Sequence, residues 1–203
     1  MYIVRPTYIL RKIYPNAVWR MPAGETKIYL TFDDGPVPVI TPWVLDVLKE
    51  EKVKATFFCV GENVEKHGDI YQRILNEGHA VGNHTYNHLN GWNTHGNQYA
   101  KNVLKCAEVV KSRLFRPPYG RAKKSQVALL SSHYKIIMWD VLSGDYDKST
   151  TPEQCLKNVN TYVRNGSVIV FHDSVKAQPK LEYALPRFIK FAKEKGFEFG
   201  VLG

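Results

Sequence analysis

Apolar positions in this chain follow two alternating rhythms. Short runs rich in Val, Ile, Phe and Tyr occupy residues 27–32, 54–60, 79–83, 114–116, 135–141, 168–172 and 197–202. Several are apolar at successive positions, the pattern of strands buried on both faces in a parallel sheet. Longer stretches between them repeat apolar residues every three or four positions. The first opens at Thr41-Pro42, where Thr suits a helix cap and Pro the first helical position, and Trp43, Val44, Val47 and Leu48 form its apolar face. Further helices are predicted over 63–76, 97–112, 124–132, 151–163 and 181–195. Thr151-Pro152-Glu153 repeats the cap-then-proline start, and Gly78, Gly166 and Gly196 stand just past helix ends.

Seven strand–helix alternations in 203 residues predict a parallel sheet wrapped by helices in a single domain. A doubly wound open sheet would satisfy the same pattern. The polar residues tip the balance, because Asp33-Asp34, His84, His88, Arg116, Asp145 and His172 all fall at or just after the C-terminal ends of predicted strands. In a barrel those ends converge on one face. A full eightfold barrel needs more chain than this, so the expectation is α/β, a distorted or incomplete (β/α) barrel of about seven parallel strands. Residues 1–26, with Pro6, Pro15 and Pro22, read as an extended N-terminal arm over a domain of residues 27–203.

Three stretches carry matching chemistry: Thr31-Phe32-Asp33-Asp34-Gly35-Pro36, His84-Thr85-Tyr86-Asn87-His88 and Phe171-His172-Asp173. A carboxylate with two imidazoles is a common facial ligand set for a divalent metal that leaves positions open for water and substrate. A spare Asp and a spare His then remain for proton transfer. Taken alone, Asp-Asp-Gly-Pro is an ordinary turn with solvated carboxylates. His84 and His88 are separated from His67, His79, His95 and His133, which read as structural or surface residues, by their place after the 79–83 strand.

Composition narrows the classes. The net charge of +9 favours anionic partners. The basic residues are scattered, and no helix-turn-helix, zinc-finger or RNP-like pattern appears, so a nucleic-acid partner is not expected. An acidic wall glycan fits the same charge. Cys59, Cys106 and Cys155 form no CxxC pair, and an odd count argues against a disulfide framework. No apolar run reaches transmembrane length, and Met1-Tyr2-Ile3-Val4-Arg5-Pro6 shows no apolar signal core.

From Lys27 onward the chain resembles the polysaccharide deacetylase domain, family 4 of the carbohydrate esterases. Five motifs stand in the family's order: residues 31–36; His84-Thr85-Tyr86-Asn87-His88; Arg116-Pro117-Pro118-Tyr119-Gly120; the aromatic segment Trp139-Asp140 through Asp145-Tyr146; and Val170-Phe171-His172. The resemblance implies that residues 27–203 are the catalytic domain of a metal-dependent de-N-acetylase. Its substrate would be an N-acetylglucosamine-containing polysaccharide, peptidoglycan or a chitin-like oligomer, at the cell envelope or outside the cell.

By that resemblance Asp34, His84 and His88 hold the metal, Asp33 is the general base and His172 the general acid. Arg116 would pair with Asp33, Asp145 would tune His172, and the Tyr119 N–H would face the oxyanion. Tyr146, Val170 and Pro118 would line the acetyl pocket. Tyr146 stands where the family usually has Trp, and Val170 where it has Leu, which bears on substrate preference. Asp140 competes with Asp145 as the partner of His172. Zinc suits the ligand set, with cobalt, nickel, manganese and iron as further candidates. A xylan O-acetyl esterase and a non-catalytic glycan-binding domain are the alternative readings.

Overall fold

A computed structural model describes residues 3–24 and 26–203; Met1, Tyr2 and Glu25, which belong to the predicted arm, lie outside the described residues. All strands of its one sheet are parallel. They are β1 (Lys27–Asp33), β2 (Thr56–Cys59), β3 (Ala80–Asn83), β4 (Leu114–Phe115), β5 (Lys135–Ile136), β6 (Val141–Leu142), β7 (Val168–His172) and β8 (Glu198–Gly200). The order is β5-β4-β3-β2-β1-β7-β6, and β8 pairs with the first half of β1 while β2 pairs with its second half. The expected incomplete barrel is therefore present. One predicted strand, 135–141, is two: β5 and β6 lie at opposite ends of the strand order. Only residues 137–140 join them, a span of less than about 20 Å, so the sheet must curl until its two edges nearly meet.

The N-terminal segment occupies the remaining gap. Val18 bridges Ile137 in parallel, and Arg20 bridges Ser167 in antiparallel fashion. The Leu142 N–H donates to the Val4 carbonyl at 2.8 Å. This segment is not extended throughout, because Thr7 caps a short helix, α1 (Tyr8–Ile13), by accepting the Leu10 N–H.

The remaining helices are α2 (Ile40–Glu50), α3 (Gly61–Lys66), α4 (Gly68–Asn76), α5 (Gly96–Val109), α6 (Lys124–Leu130), α7 (Pro152–Tyr162) and α8 (Gln178–Glu194). Two differ from the sequence reading. The single helix expected over 63–76 breaks at His67, whose φ of −133° and ψ of 50° are not helical. Helix α2 begins at Ile40, one residue before Thr41, so Thr41 does not cap it and its hydroxyl is used elsewhere. Thr151 does cap α7, accepting the Gln154 N–H at 3.1 Å.

Leu30, Phe32, Phe57 and Phe171 pack between sheet and helices, with Phe32 stacked on Phe57 at 5.0 Å and Phe171 at 6.3 Å. Strand alternation then turns Thr31, Asp33, Val170 and His172 to the opposite face, the barrel interior. Cys59, Cys106 and Cys155 are buried free thiols. Among the described residues no helix is long and apolar enough to cross a membrane.

Candidate active site

β1 ends in the carboxylate pair. Asp33 is 5% exposed and sits beside His172, its Cα partner on β7. Asp34 then takes a φ of 85°, which swings its side chain out of the strand's alternation. Short polar residues tolerate this left-handed region better than others do. Asp173 holds the turn. Fully buried, it accepts the Gly35 N–H at 3.1 Å and the Thr41 hydroxyl at 2.5 Å, and its own N–H donates to the Asp33 carbonyl at 3.1 Å. A Cβ on residue 35 would come within 1.9 Å of Asp173 Oδ2, so only glycine fits there. Burial pushes the Asp173 carboxyl up to about 8, with the Thr41 hydrogen bond opposing and the Asp34 charge adding.

The two histidines follow β3 on a turn rather than a helix, with Thr85 at φ 66° and His88 at φ 56°. Asn83, wholly buried, anchors that turn. Its amide donates to the Val103 carbonyl and its carbonyl oxygen accepts the Thr85 N–H, both at 2.9 Å. Thr85 in turn accepts the Leu89 N–H at 2.9 Å. His84 Nδ1 lies 2.8 Å from the Arg116 carbonyl. That contact places the proton on Nδ1 and leaves the Nε2 lone pair facing Asp34. Burial lowers the His84 pKa to about 4, so the ring is neutral at pH 7 and fit to ligate.

Asp34 Oδ1 is 3.2 Å from His88 Nε2 and 3.8 Å from His84 Nε2. A tetrahedral zinc site with bonds of about 2.0–2.1 Å has ligand–ligand edges of about 3.3 Å. Asp34 Oδ1 is also buried without a directed hydrogen bond, an orphaned acceptor in need of a cation. Burial alone would raise the Asp34 carboxyl; His88, with the fields of His172 and His84, holds it well below the usual carboxylate range. The three donor atoms lie within 4.8 Å of one another, and the residues fit a divalent metal.

Arg116 follows β4 and is 2% exposed. Its Nη1 donates to Asp33 Oδ1 at 2.6 Å and to Thr31 Oγ1 at 2.8 Å. Nη2 donates to the Met138 carbonyl at 3.0 Å and Nε to that of Ile137 at 3.3 Å, while the guanidinium lies 4.0 Å over the Phe58 ring. Four donor contacts and an aromatic face leave it one orientation.

His172 ends β7, and Asp145 grips it twice: Oδ2 accepts the His172 backbone N–H at 2.7 Å, and Oδ1 faces ring Nδ1 at 2.8 Å. Asp140 is not part of this pair. It is fully buried among Arg11, Arg164 and Ser167, at 2.7–2.9 Å. Burial lowers the His172 pKa, but the Asp145 charge and hydrogen bond outweigh it, with smaller help from Asp34 and Asp33. The ring rises to about 10. Tyr146 meets His172 edge-on at 4.8 Å.

Tyr119 adopts φ 61°, ψ 6° after the buried Pro118, is 60% exposed, and meets His88 edge-on at 4.6 Å. Val170 shares the His172 face two residues below it and is 1% exposed. A shallow cavity of about 220 Å³ beside Lys27 and Tyr29 lies at the other end of β1, away from these groups. Three residues given no role from sequence now have one in the geometry: Thr31, Asn83 and Asp173. Their signal is a polar residue at or beside an interior-facing position of an apolar strand.

The comparisons agree with this geometry. The polysaccharide deacetylase family matches residues 20–134, more than half of the chain. A peptidoglycan-N-acetylglucosamine deacetylase of Bacillus cereus is 36% identical over 190 residues, covering 89% of this chain and 68% of that protein. A chitooligosaccharide deacetylase of Azorhizobium caulinodans is 32% identical over 163 residues, 76% of this chain and 77% of that one. Among solved structures, a peptidoglycan N-acetylglucosamine deacetylase in complex with 4-naphthalen-1-yl-N-oxidanyl-benzamide superposes with a TM-score of 0.87 at 35% identity, covering 92% of this chain and 91% of that one. With a curled parallel barrel and a three-ligand cluster at the C-terminal ends of its strands, the chain belongs to the polysaccharide deacetylase family, the family 4 carbohydrate esterases.

Proposed function

We propose that this protein hydrolyses the acetamide of N-acetylglucosamine residues in a peptidoglycan or chitin-like glycan, with zinc held by Asp34, His84 and His88. One observation carries the reading. Two separate proton-handling pairs, Asp33–Arg116 and His172–Asp145, stand side by side on adjacent strand ends over a single ligand cluster. The names of the relatives support the substrate class, and the net charge of +9 suits an acidic wall polymer.

When bound, the cation polarises the amide carbonyl and makes water more acidic. Arg116 occupies Asp33 Oδ1, which leaves Oδ2 as the acceptor for the proton of the attacking water. The Tyr119 backbone N–H, turned by its left-handed conformation, is the donor toward the oxyanion that develops on the carbonyl oxygen. Asp145 holds Nδ1–H and keeps the His172 ring charged, so Nε2–H points to the leaving nitrogen. Transfer of that proton lets the C–N bond break, giving acetate and a free amino sugar. Tyr146 supplies apolar surface for the acetyl methyl, backed by the buried Pro118 and Val170.

The test is acetate release from chitooligosaccharides and peptidoglycan fragments by metal-stripped protein, before and after zinc or cobalt is added. Release that requires metal and is lost in Asp33→Asn is expected. Absence of release from both glycans by metal-loaded protein would overturn the reading.

A further inference from the structure

Trp92 is a large aromatic residue left 51% exposed on the loop that follows the histidine turn. Isolated exposed apolar side chains are common and need no explanation. This one differs in how firmly it is held. Its backbone N–H donates to Asn90 Oδ1 at 3.0 Å and its indole N–H to the Ala122 carbonyl at 3.1 Å. The turn beneath it, Gly91–Asn93, is clamped to residues 121–126. The Gly91 N–H donates to the Arg121 carbonyl at 3.1 Å, and the Gln126 amide donates to Gly91 and Thr94 carbonyls at 3.0 and 3.2 Å. A Cβ on residue 91 would lie 2.7 Å from the Arg121 carbonyl oxygen, so glycine is required for this approach. The Arg121 guanidinium lies 5.0 Å over the indole.

This network orients a flat apolar surface toward solvent instead of packing it away. It also holds that surface within a short chain reach of the chemistry. Ala122, which holds the indole, is three residues from Tyr119, a reach of at most about 10 Å, and Tyr119 touches the ligand His88. A rigid aromatic face suits the C–H face of a pyranose ring, and the Arg121 guanidinium beside it offers donors to the ring's hydroxyls. We propose that Trp92 is a sugar-stacking platform for a glycan residue beyond the one whose acetamide is cleaved, so that the protein reads chain length through it. This inference rests on the deacetylase reading above and assigns where the rest of the glycan lies.

The test compares Trp92→Ala and Trp92→Phe with the wild type on N-acetylglucosamine dimer and pentamer, as the ratio of pentamer to dimer kcat/KM. Aromatic contacts of this kind predict a ratio lowered about threefold to tenfold in Trp92→Ala, with Phe returning most of it. Equal fractional losses on both lengths, or no recovery with Phe, would overturn the platform. Calorimetric binding of the pentamer to metal-free protein reads the same contact without turnover. Weaker binding in Trp92→Ala supports the platform even where no acetate is released, an outcome that refutes only the deacetylase reading. Equal affinity in the two proteins refutes the platform itself.

Discussion

Replacing Asp145 with Asn tests the acid half of the chemistry most directly. Asp145 is fully buried, and both its oxygens accept from His172, one from the backbone N–H at 2.7 Å and one at ring Nδ1 at 2.8 Å. An amide keeps only one acceptor. With the Asn oxygen on the backbone N–H, its NH₂ faces Nδ1, the ring proton moves to Nε2, and the charged form loses its counterion. The rise of His172 from 6.5 to about 10 corresponds to about 5 kcal/mol of preference for the charged ring, and Asp145 is the largest contributor raising it. The sign follows: a raised histidine stays protonated until pH climbs through its pKa, so activity that needs the acid is lost on the alkaline side. Removing a carboxylate in contact shifts such a group by about 1–3 pH units, and the alkaline limb should move down by that amount. The rate at neutral pH should fall by less than the factor of about 10²–10⁴ that a positioned general acid is worth, because a ring lowered by that amount is still largely protonated there. The assay is the pH profile of kcat for acetate release, with Asp140→Asn as control. That control disturbs the Arg11, Arg164 and Ser167 contacts but should leave the alkaline limb in place. An unmoved alkaline limb in Asp145→Asn would refute His172 as the titrating acid.

Gly35→Ala places a Cβ 1.9 Å from a carboxylate that has no room to withdraw, so the Asp34 turn must shift. Metal affinity, followed by cobalt absorbance, should fall about 10–100-fold, and unchanged affinity would show that Asp173 does not position the ligand. Arg116→Met leaves Asp33 buried without its partner and should cost about 3–5 kcal/mol in urea unfolding. A loss below about 1 kcal/mol would mean that other groups already compensate the carboxylate. His172→Ala should slow amide cleavage far more than cleavage of an acetyl ester, whose alkoxide leaves with less help from a proton; equal losses would exclude the leaving-group role.

Much of this was legible in the sequence because parallel strands are apolar on both faces and reactive groups collect at their C-terminal ends. Asp33, Arg116, Asp145 and His172 could be placed on one face from their strand positions alone. What pattern could not reach was long-range pairing. Residues 135–141 read as one strand because Lys135 through Val141 is mostly apolar; nothing local marks the crossing from one sheet edge to the other. Thr41 looks like a cap by position, yet its hydroxyl is committed to Asp173, 132 residues away. The break at His67 is marked only by Gly68 directly after it, and an isolated glycine inside a helical pattern is tolerated and does not by itself set a boundary. In the sequence Asp145 is preferred to Asp140 as the partner of His172 only because the Asp-aromatic pair Asp145-Tyr146 stands there; the hydrogen bonds, Asp145 on His172 and Asp140 on Arg11, Arg164 and Ser167, decide between them.

The placing of these two residues links the N-terminal segment to the chemistry at the other end of the barrel. β6 has Asp140 just before it and Asp145 three residues after its end. Asp140, bound by Arg11 and Arg164, and Leu142, whose N–H donates to Val4, fix β6 against the segment that fills the gap between the sheet edges. The same segment pairs with residues 136–138 through Val18, whose N–H donates to the Ile136 carbonyl and whose carbonyl accepts the Met138 N–H, both at 2.8 Å. The carbonyls of Ile137 and Met138 are the acceptors that orient the Arg116 guanidinium. Both proton-handling pairs therefore depend on one crossing, residues 136–142, that the sheet's own edges leave half unpaired. A barrel that closed by strand pairing alone would fix those residues itself. In this incomplete one the N-terminal segment supplies the missing hydrogen bonds, so Asp33 and His172 owe part of their geometry to a segment that lies before the first strand.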